Sequence, residues 1–138
     1  MSANVDLVRS IFAAWERGDW RSADWAHPEI EFALPDGPVR GTWNGLAAMW
    51  VAWRDFLSAW EDYRLEVEEY TELSDGRVLV FVRMFGRGKT SGLELGQTEA
   101  KGANVFHVRD GKVTRLVAYN DRKLALEDLG LATGGNAP

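Results

Sequence analysis

The sequence predicts an α+β fold in which helices cover one face of a curved antiparallel sheet. Helical patterns concentrate in the first 60 residues, where one short strand interrupts them, and consecutive alternating strands follow up to residue 120. This segregation of helices from antiparallel strands is typical of α+β proteins. A length of 138 residues suits one domain, which we expect to span residues 1–131, with a flexible C-terminal tail at 132–138.

Two helices are predicted before the first strand. The first begins after Asn4, its expected N-cap, and ends at Gly18. Asp19 is expected to cap a second, short helix at about Trp20–Trp25, which ends before Pro28 because a residue preceding proline favours extended conformations. The apolar positions of the first helix recur at intervals of three and four residues: Val5, Val8, Ile11, Phe12 and Trp15.

The strongest helical pattern runs from Thr42 to Trp60, after a short strand at Ile30–Leu34 and a turn-rich loop. Its apolar stripe is too broad for a helix that exposes one face to solvent. The main interpretation is a helix packed against the sheet, and the alternative is that some of its rings line a cavity instead of filling it. The stripe consists of Leu46, Met49, Trp50, Trp53, Phe56, Leu57 and Trp60.

Alternating segments predict the strands that follow. The first starts near Tyr63, and its alternation breaks at Glu69-Tyr70, which predicts a bulge or a strong bend. The second, Val78–Phe85, is apolar on both sides and is predicted to be central. The third starts at Leu95 after a flexible loop, and the small residues on one of its faces leave room for a helix or a ligand. A short final helix is predicted after its N-cap, Asp121.

The segment Ala103–Asn120 is the clearest hairpin, and two registers are possible. A two-residue turn at Asp110-Gly111 would place Phe106 and Val113 on the same face. A three-residue loop with a bulge at Gly111 is preferred, because it requires a positive φ angle only at glycine. It separates one face with Asn104, Phe106, Leu116 and Ala118 from another with Val105, His107, Val113, Arg115, Val117 and Tyr119. Both faces are then expected to be covered, the first by helices and the second by a partner subunit.

Composition limits the classes of function. The net charge of −5 argues against nucleic acid as the main partner. There is no cysteine for a disulfide, a thiolate metal site or a nucleophile, and the chain has only two histidines, His27 and His107. The sequence has no secretion signal pattern and no apolar stretch of about 18 residues, so a soluble cytoplasmic protein without membrane contact is expected. No metal or other cofactor is predicted.

Four segments together carry a resemblance to a known family: VRSIFAAWERGD at 8–19, HPEIEF at 27–32, Gly41 and Gly45 before the long helix, and VFHVRDGKVTRLVAYND at 105–121. Over nearly its whole length the chain resembles the SnoaL-like branch of the nuclear-transport-factor-two-like, or ketosteroid-isomerase-like, superfamily. The resemblance implies a cone-shaped roll, a curved mixed or antiparallel sheet around a long helix with two further N-terminal helices. It also implies a hydrophobic pocket at the open end and a homodimer through the outer sheet face.

The resemblance does not extend to the known catalytic residues. Where ketosteroid isomerases carry a tyrosine, a general-base aspartate and an acidic hydrogen-bond donor, this chain has Ile11, Leu34 and Asn104. Limonene-epoxide-hydrolase-like members carry a carboxylate before a tyrosine on the last strand, where this chain has Ala118. Asn104 therefore stands alone as a hydrogen-bond donor for an oxyanion, a role that an amide can fill without a pKa shift.

Three functions remain open, because the superfamily includes both enzymes and binding proteins. The first is a metal- and cofactor-independent cyclase, isomerase or hydrolase for a hydrophobic carbonyl compound, in which Asn104 polarises the carbonyl and Tyr63 or His27 supplies a further polar group. The second is a non-catalytic binding protein for a hydrophobic or aromatic small molecule. The third is a dimeric association module whose cavity is filled by tryptophan. The expected pocket is lined by Trp15, Leu34, Met49, Trp53, Val82, Met84, Phe106, Leu116 and Ala118.

Overall fold

The computed structural model describes residues 2–37, 39–88 and 101–131, together with the backbone of 94–95. Within these residues the chain forms the helices α1 (Ala3–Glu16), α2 (Leu46–Ser58) and α3 (Arg122–Asp128). The strands are β1 (Ala26–Leu34), β2 (Gly41–Asn44), β3 (Trp60–Glu72), β4 (Val78–Gly88), β5 (Glu94–Leu95), β6 (Lys101–Arg109) and β7 (Lys112–Tyr119). The small residues predicted at 96–100 and the predicted tail at 132–138 lie outside the described residues.

These strands form one mixed sheet in the order β2-β1-β7-β6-β4-β3, with β5 paired to β4. In the described chain β1 and β7 run parallel, and the other pairs are antiparallel. Register shifts in β3 bend the sheet, and α1 and α2 pack on one side, here called the inner face. α3 packs on the opposite side, the outer face. The predicted α+β class with a curved sheet is confirmed.

A single helix replaces the two that were predicted before the first strand. Residues 19–25 form turns and irregular backbone, so the predicted second helix was wrong. Asp19 does act as a cap, since its carboxylate accepts hydrogen bonds from the backbone N–H groups of Arg21 and Ser22 at 3.2 and 3.1 Å. The turn does not continue into a helix, because the rings of Trp20 and Trp25 pack into the interior and this packing overrides local propensity.

The starts of α1 and α2 also differ from the prediction. Ser2, not Asn4, caps α1, since the Ser2 hydroxyl accepts a hydrogen bond from the backbone N–H three residues further on. The helix predicted over Thr42–Trp60 is shorter at both ends, because β2 pairs with β1 before it and β3 begins after it. Gly45 separates β2 from α2 with a φ angle of 91°, a conformation that glycine adopts without steric strain.

The hairpin of β6 and β7 combines features of both predicted registers. Asp110 and Gly111 form a two-residue turn with φ angles of 52° and 77°, so the preferred three-residue loop was wrong. The bulge lies at Thr114 instead, where β7 has one residue more than β6. Because this bulge shifts the register, Asn104 pairs with Ala118 as the preferred register required.

The chain itself covers most of the outer surface that was predicted to contact a partner subunit. α3 packs over three of these residues, which are buried in the single chain: Val105, Val117 and Tyr119. The bulge turns Val113 to the inner face, where it joins the core under α1 and α2. The prediction of partner contact was wrong for these four residues. His107 is half-buried and Arg115 is exposed, and a dimer through this part of the face stays a prediction.

Arg122 fixes α3 to the outer face. Its guanidinium donates hydrogen bonds to the carbonyl oxygens of Gly102 and Val82 at 3.0 and 2.9 Å. It also pairs with the Glu68 carboxylate, whose pKa it lowers, and it lies 4.7 Å from the centre of the Phe81 ring. One side chain thus joins α3 to three neighbouring strands, with the charge-assisted geometry that makes arginine hydrogen bonds strong.

Candidate functional site

Asn104 lies near the middle of the inner face. It is 7% exposed, and among the residues that the structure describes it is the one polar or charged side chain that is buried. Val80 of β4 pairs with it on one side and Ala118 of β7 on the other. Within the described residues its carboxamide has no hydrogen-bond partner. Its nitrogen and oxygen are not among the fully buried polar atoms that lack a partner, so they keep some contact with solvent, and this amide marks a candidate binding site.

Aromatic rings fill much of the interior beside Asn104. Trp15 of α1 is at the centre of this cluster, and its indole N–H is buried without an acceptor among the described residues. The ring centroids around Trp15 lie between 4.9 and 6.4 Å away, as expected for packed aromatic pairs, and belong to Phe12, Trp20, Trp25, Trp53 and Phe106. Phe106 follows Asn104 on the same face of β6, so the cluster borders the amide directly.

The residues predicted to line the pocket fall into two groups. Six are buried in the core: Trp15, Met49, Trp53, Val82, Phe106 and Leu116. Three keep partial exposure: Leu34, Met84 and Ala118. The small size of Gly102 serves the chain itself, since a Cβ there would lie 2.4 Å from the Tyr119 carbonyl oxygen and 3.2 Å from Cε of Met84. The partly exposed group includes Ala118, which pairs with Asn104.

His27 lies far from the buried amide. Its Nδ1 accepts a hydrogen bond from the backbone N–H of Glu29 at 3.0 Å, which shapes the start of β1. The preceding residue, Ala26, pairs with Val113 of β7, whereas Asn104 pairs with Ala118, which lies five positions further along the same strand. At a rise of about 3.3 Å per residue this separation is about 17 Å. The histidine therefore has a local role and does not join the candidate site.

Tyr63 belongs to a second ring cluster near the start of β3. Its ring centroid lies between 4.9 and 6.4 Å from those of Trp20, Phe56 and Trp60. Burial raises the pKa of its phenol, and within the described residues its hydroxyl has no hydrogen-bond partner. Its backbone lies against Gly86, six residues along β4 from the partner of Asn104, or about 20 Å. The structure therefore does not bring the three predicted catalytic residues together.

An open, polar groove of about 820 Å³ lies between α1 and β3. Arg9 and Glu16 line it from the helix, and Arg64–Tyr70 line it from the strand. The Arg9 guanidinium lies 4.3 Å from the centre of the Tyr70 ring, and burial raises the pKa of that phenol. Tyr70 was not predicted as a site residue. The break in alternation at Glu69-Tyr70 was the sequence feature that could have indicated it. The bulge there turns Tyr70 to the inner face, opposite Val80.

The described residues contain no cluster of three or more histidine, aspartate or glutamate side chains that could hold a metal ion. No helix in the described ranges is long and apolar enough to cross a membrane.

A curved sheet with helices and one buried amide on its inner face defines a cone-shaped α+β protein. More specifically, a model of the SnoaL-like domain matches residues 8–116, and the chain belongs to the SnoaL-like domain family. No curated protein matches it.

Solved structures share this fold at low sequence identity. An NTF2-like protein of unknown function from Burkholderia pseudomallei is 20% identical, with a TM-score of 0.76 over 92% of this chain and 97% of that one. TerC, co-crystallised with polyporic acid, is 24% identical, with a TM-score of 0.69 over 93% and 98%. Bal32a from a soil-derived mobile gene cassette is 18% identical, with a TM-score of 0.73 over 84% and 87%. These likenesses establish the fold alone.

Proposed function

We propose that this chain binds a hydrophobic small molecule at its inner face, and that the Asn104 carboxamide donates a hydrogen bond to an oxygen of that molecule. The observation that carries the proposal is a buried amide without a hydrogen-bond partner among the described residues. Its polar atoms keep some contact with solvent, so they are open to a ligand. An acceptor on a ligand would supply the partner that the described chain does not.

The surroundings of the amide support an apolar, carbonyl-containing ligand. Leu34, Met84 and Ala118 are apolar and partly exposed, and they lie on the same face as Asn104. Small-molecule sites combine such apolar walls with few polar groups that fix orientation. TerC, which shares the fold, was crystallised with polyporic acid, an aromatic hydroxyquinone. We therefore propose flat aromatic compounds with carbonyl oxygens as the ligand class.

Binding fits the arrangement better than catalysis. The nearest inner-face neighbours of Asn104 in the described sheet are Val80, Phe106 and Ala118, none of which titrates. A general base must lie within hydrogen-bond reach of the proton that it removes, and His27 and Tyr63 lie about 17 and 20 Å away along the strands. A cyclase or isomerase activity is the alternative proposal, and it would require a base that the substrate itself brings to the amide.

The test is to titrate the wild type and Asn104→Leu with polyporic acid and with 1,4-naphthoquinone. Tryptophan fluorescence reports binding in each titration. Leucine is close to asparagine in size, so this substitution removes the donor and preserves the packing. We expect saturable quenching of the wild type and an affinity about 10-fold lower in the variant, since a lost hydrogen bond of about 1.4 kcal/mol has that effect.

A matched control makes the same chemical change at Asn44, an exposed residue of β2. Asn44→Leu should bind both quinones as the wild type does. Equal affinity of Asn104→Leu and the wild type would refute the role of the amide. Absence of saturable quenching in the wild type with both quinones would refute the proposed ligand class.

A further inference from the structure

We propose that Trp20 occupies a slot between Trp15 and Tyr63 in the unliganded chain, and that a planar aromatic ring of the ligand enters this slot when Trp20 swings out. This inference rests on the proposed function and deepens it. It adds an aromatic subsite, and it names the residue that controls access to the interior.

Trp20 stacks on Trp15 and contacts Tyr63 at a tilt. The Trp20 indole lies 5.4 Å from Trp15, centre to centre, with an angle of 20° between the ring planes. The same indole lies 6.1 Å from the Tyr63 ring, centre to centre, with an angle of 45° between the ring planes. Near-parallel offset stacking is a preferred arrangement of planar aromatic systems. A flat ring of similar size could therefore replace the indole and keep the same contacts.

The segment that carries this indole is irregular, and backbone hydrogen bonds from Asp19 to Ala14 and from Val113 to Trp25 hold its two ends. Residues 20–24 form neither helix nor strand. The Asp19 carboxylate bonds to nearby groups of the same segment. Contacts with other elements include the Arg21 guanidinium, 5.8 Å from the centre of the Trp50 ring, and the Lys112 ammonium, which donates to a backbone carbonyl. Segments held by few contacts open at a small fraction of the global unfolding free energy.

The walls of the slot contain polar groups that the described chain leaves without partners. The indole N–H of Trp15 is buried without an acceptor, in a residue that is 6% exposed. The Tyr63 hydroxyl has no hydrogen-bond partner in the described ranges, and burial raises the pKa of this phenol, which keeps it protonated as a donor. The buried, unpaired indole N–H of Trp15 and the Tyr63 hydroxyl suit a flat ring that carries oxygen acceptors, such as a quinone.

The experiment compares the kinetics of polyporic acid binding in the wild type, Trp20→Ala and Trp20→Phe by stopped-flow fluorescence. If only molecules with an open lid can bind, the apparent affinity is lowered in proportion to the open fraction. Removing the lid should therefore increase the apparent affinity. We expect an association rate about 10-fold faster and a tighter Kd in Trp20→Ala, with Trp20→Phe between the two. Trp43→Ala is the control, because Trp43 packs on Phe32 rather than on the Trp20 cluster.

The outcomes separate this inference from the proposed function. An unchanged or slower association rate in a folded Trp20→Ala or Trp20→Phe protein would refute the slot, even if Asn104→Leu weakens binding. A faster rate in the Trp20 variants would support the slot, even if Asn104→Leu binds as the wild type does and the role of the amide fails. Absence of binding in the wild type and in both Trp20 variants would refute both.

Discussion

The two faces of the sheet differ in whether their polar groups are hydrogen-bonded. On the outer face, Arg122 bonds to two strand carbonyls, the Tyr119 hydroxyl donates to a carboxylate of α3 at 2.9 Å, and Arg115 pairs with a carboxylate of β1 at 2.7 Å. On the inner face, the Asn104 amide and the Trp15 indole N–H have no partners among the described residues. The same strands therefore carry paired polar groups on one side and unpaired ones on the other.

Under the proposed function, this difference separates residues that stabilise the fold from residues that bind the ligand. Satisfied buried polar groups stabilise and orient neighbouring elements, whereas unsatisfied ones destabilise the folded state. Local violations of packing and pairing rules are expected at functional sites. We therefore expect outer-face substitutions to change stability most, and inner-face substitutions to change binding most.

The largest expected effect is at Arg122 on the outer face. Arg122→Ala removes hydrogen bonds to two carbonyls and the pair with Glu68, so we expect a loss of about 2–4 kcal/mol in the free energy of unfolding. Urea denaturation measures this change. Lys123→Ala is the matched control, since Lys123 is exposed in the same helical turn and should change stability by less than about 0.5 kcal/mol. Similar stabilities for the two variants would contradict the role of Arg122.

A smaller effect of opposite sign is expected on the inner face. Asn104→Leu replaces an unpartnered amide by an apolar group, so we expect the free energy of unfolding to rise by about 1 kcal/mol. Urea denaturation of the ligand-free protein is the measurement. Asn44→Leu, the exposed control, should show no comparable gain. A loss above about 1 kcal/mol in Asn104→Leu would mean that the chain already satisfies this amide.

The smallest effect is a pH dependence from the part of the outer face that α3 does not cover. Burial lowers the pKa of His107, and the charges of Arg115 and Arg77 lower it further, against the opposing effect of Asp75 and Glu31. The unfolded chain then binds the proton more readily, so stability falls as the pH drops below about 6.5. We expect His107→Gln to lose less stability than the wild type between pH 7 and 5, by less than about 1 kcal/mol. Equal changes in the urea midpoints of the wild type and His107→Gln between pH 7 and 5 would contradict this expectation.

Much of the fold could be predicted, because periodicity records which side of an element is buried. The alternation of β4 and of the β6–β7 hairpin indicated the strands and placed Asn104 with Phe106 on the helix side. The site was harder to predict. Periodicity assigns residues to a face but not to a height on the sheet, so His27 and Tyr63 could be proposed beside Asn104 although the strand registers separate them.

By itself the sequence determined the class of fold, the main strands, and the burial of one amide among apolar residues. These features depend on local spacing, since a side chain's face follows from its position in a helix or strand. Tertiary structure alone decided that α3 covers the outer face, that Trp20 packs against Trp15 instead of entering a helix, and that Val113 turns inward at the bulge. Such outcomes depend on competition between contacts distant in sequence, which no local pattern records.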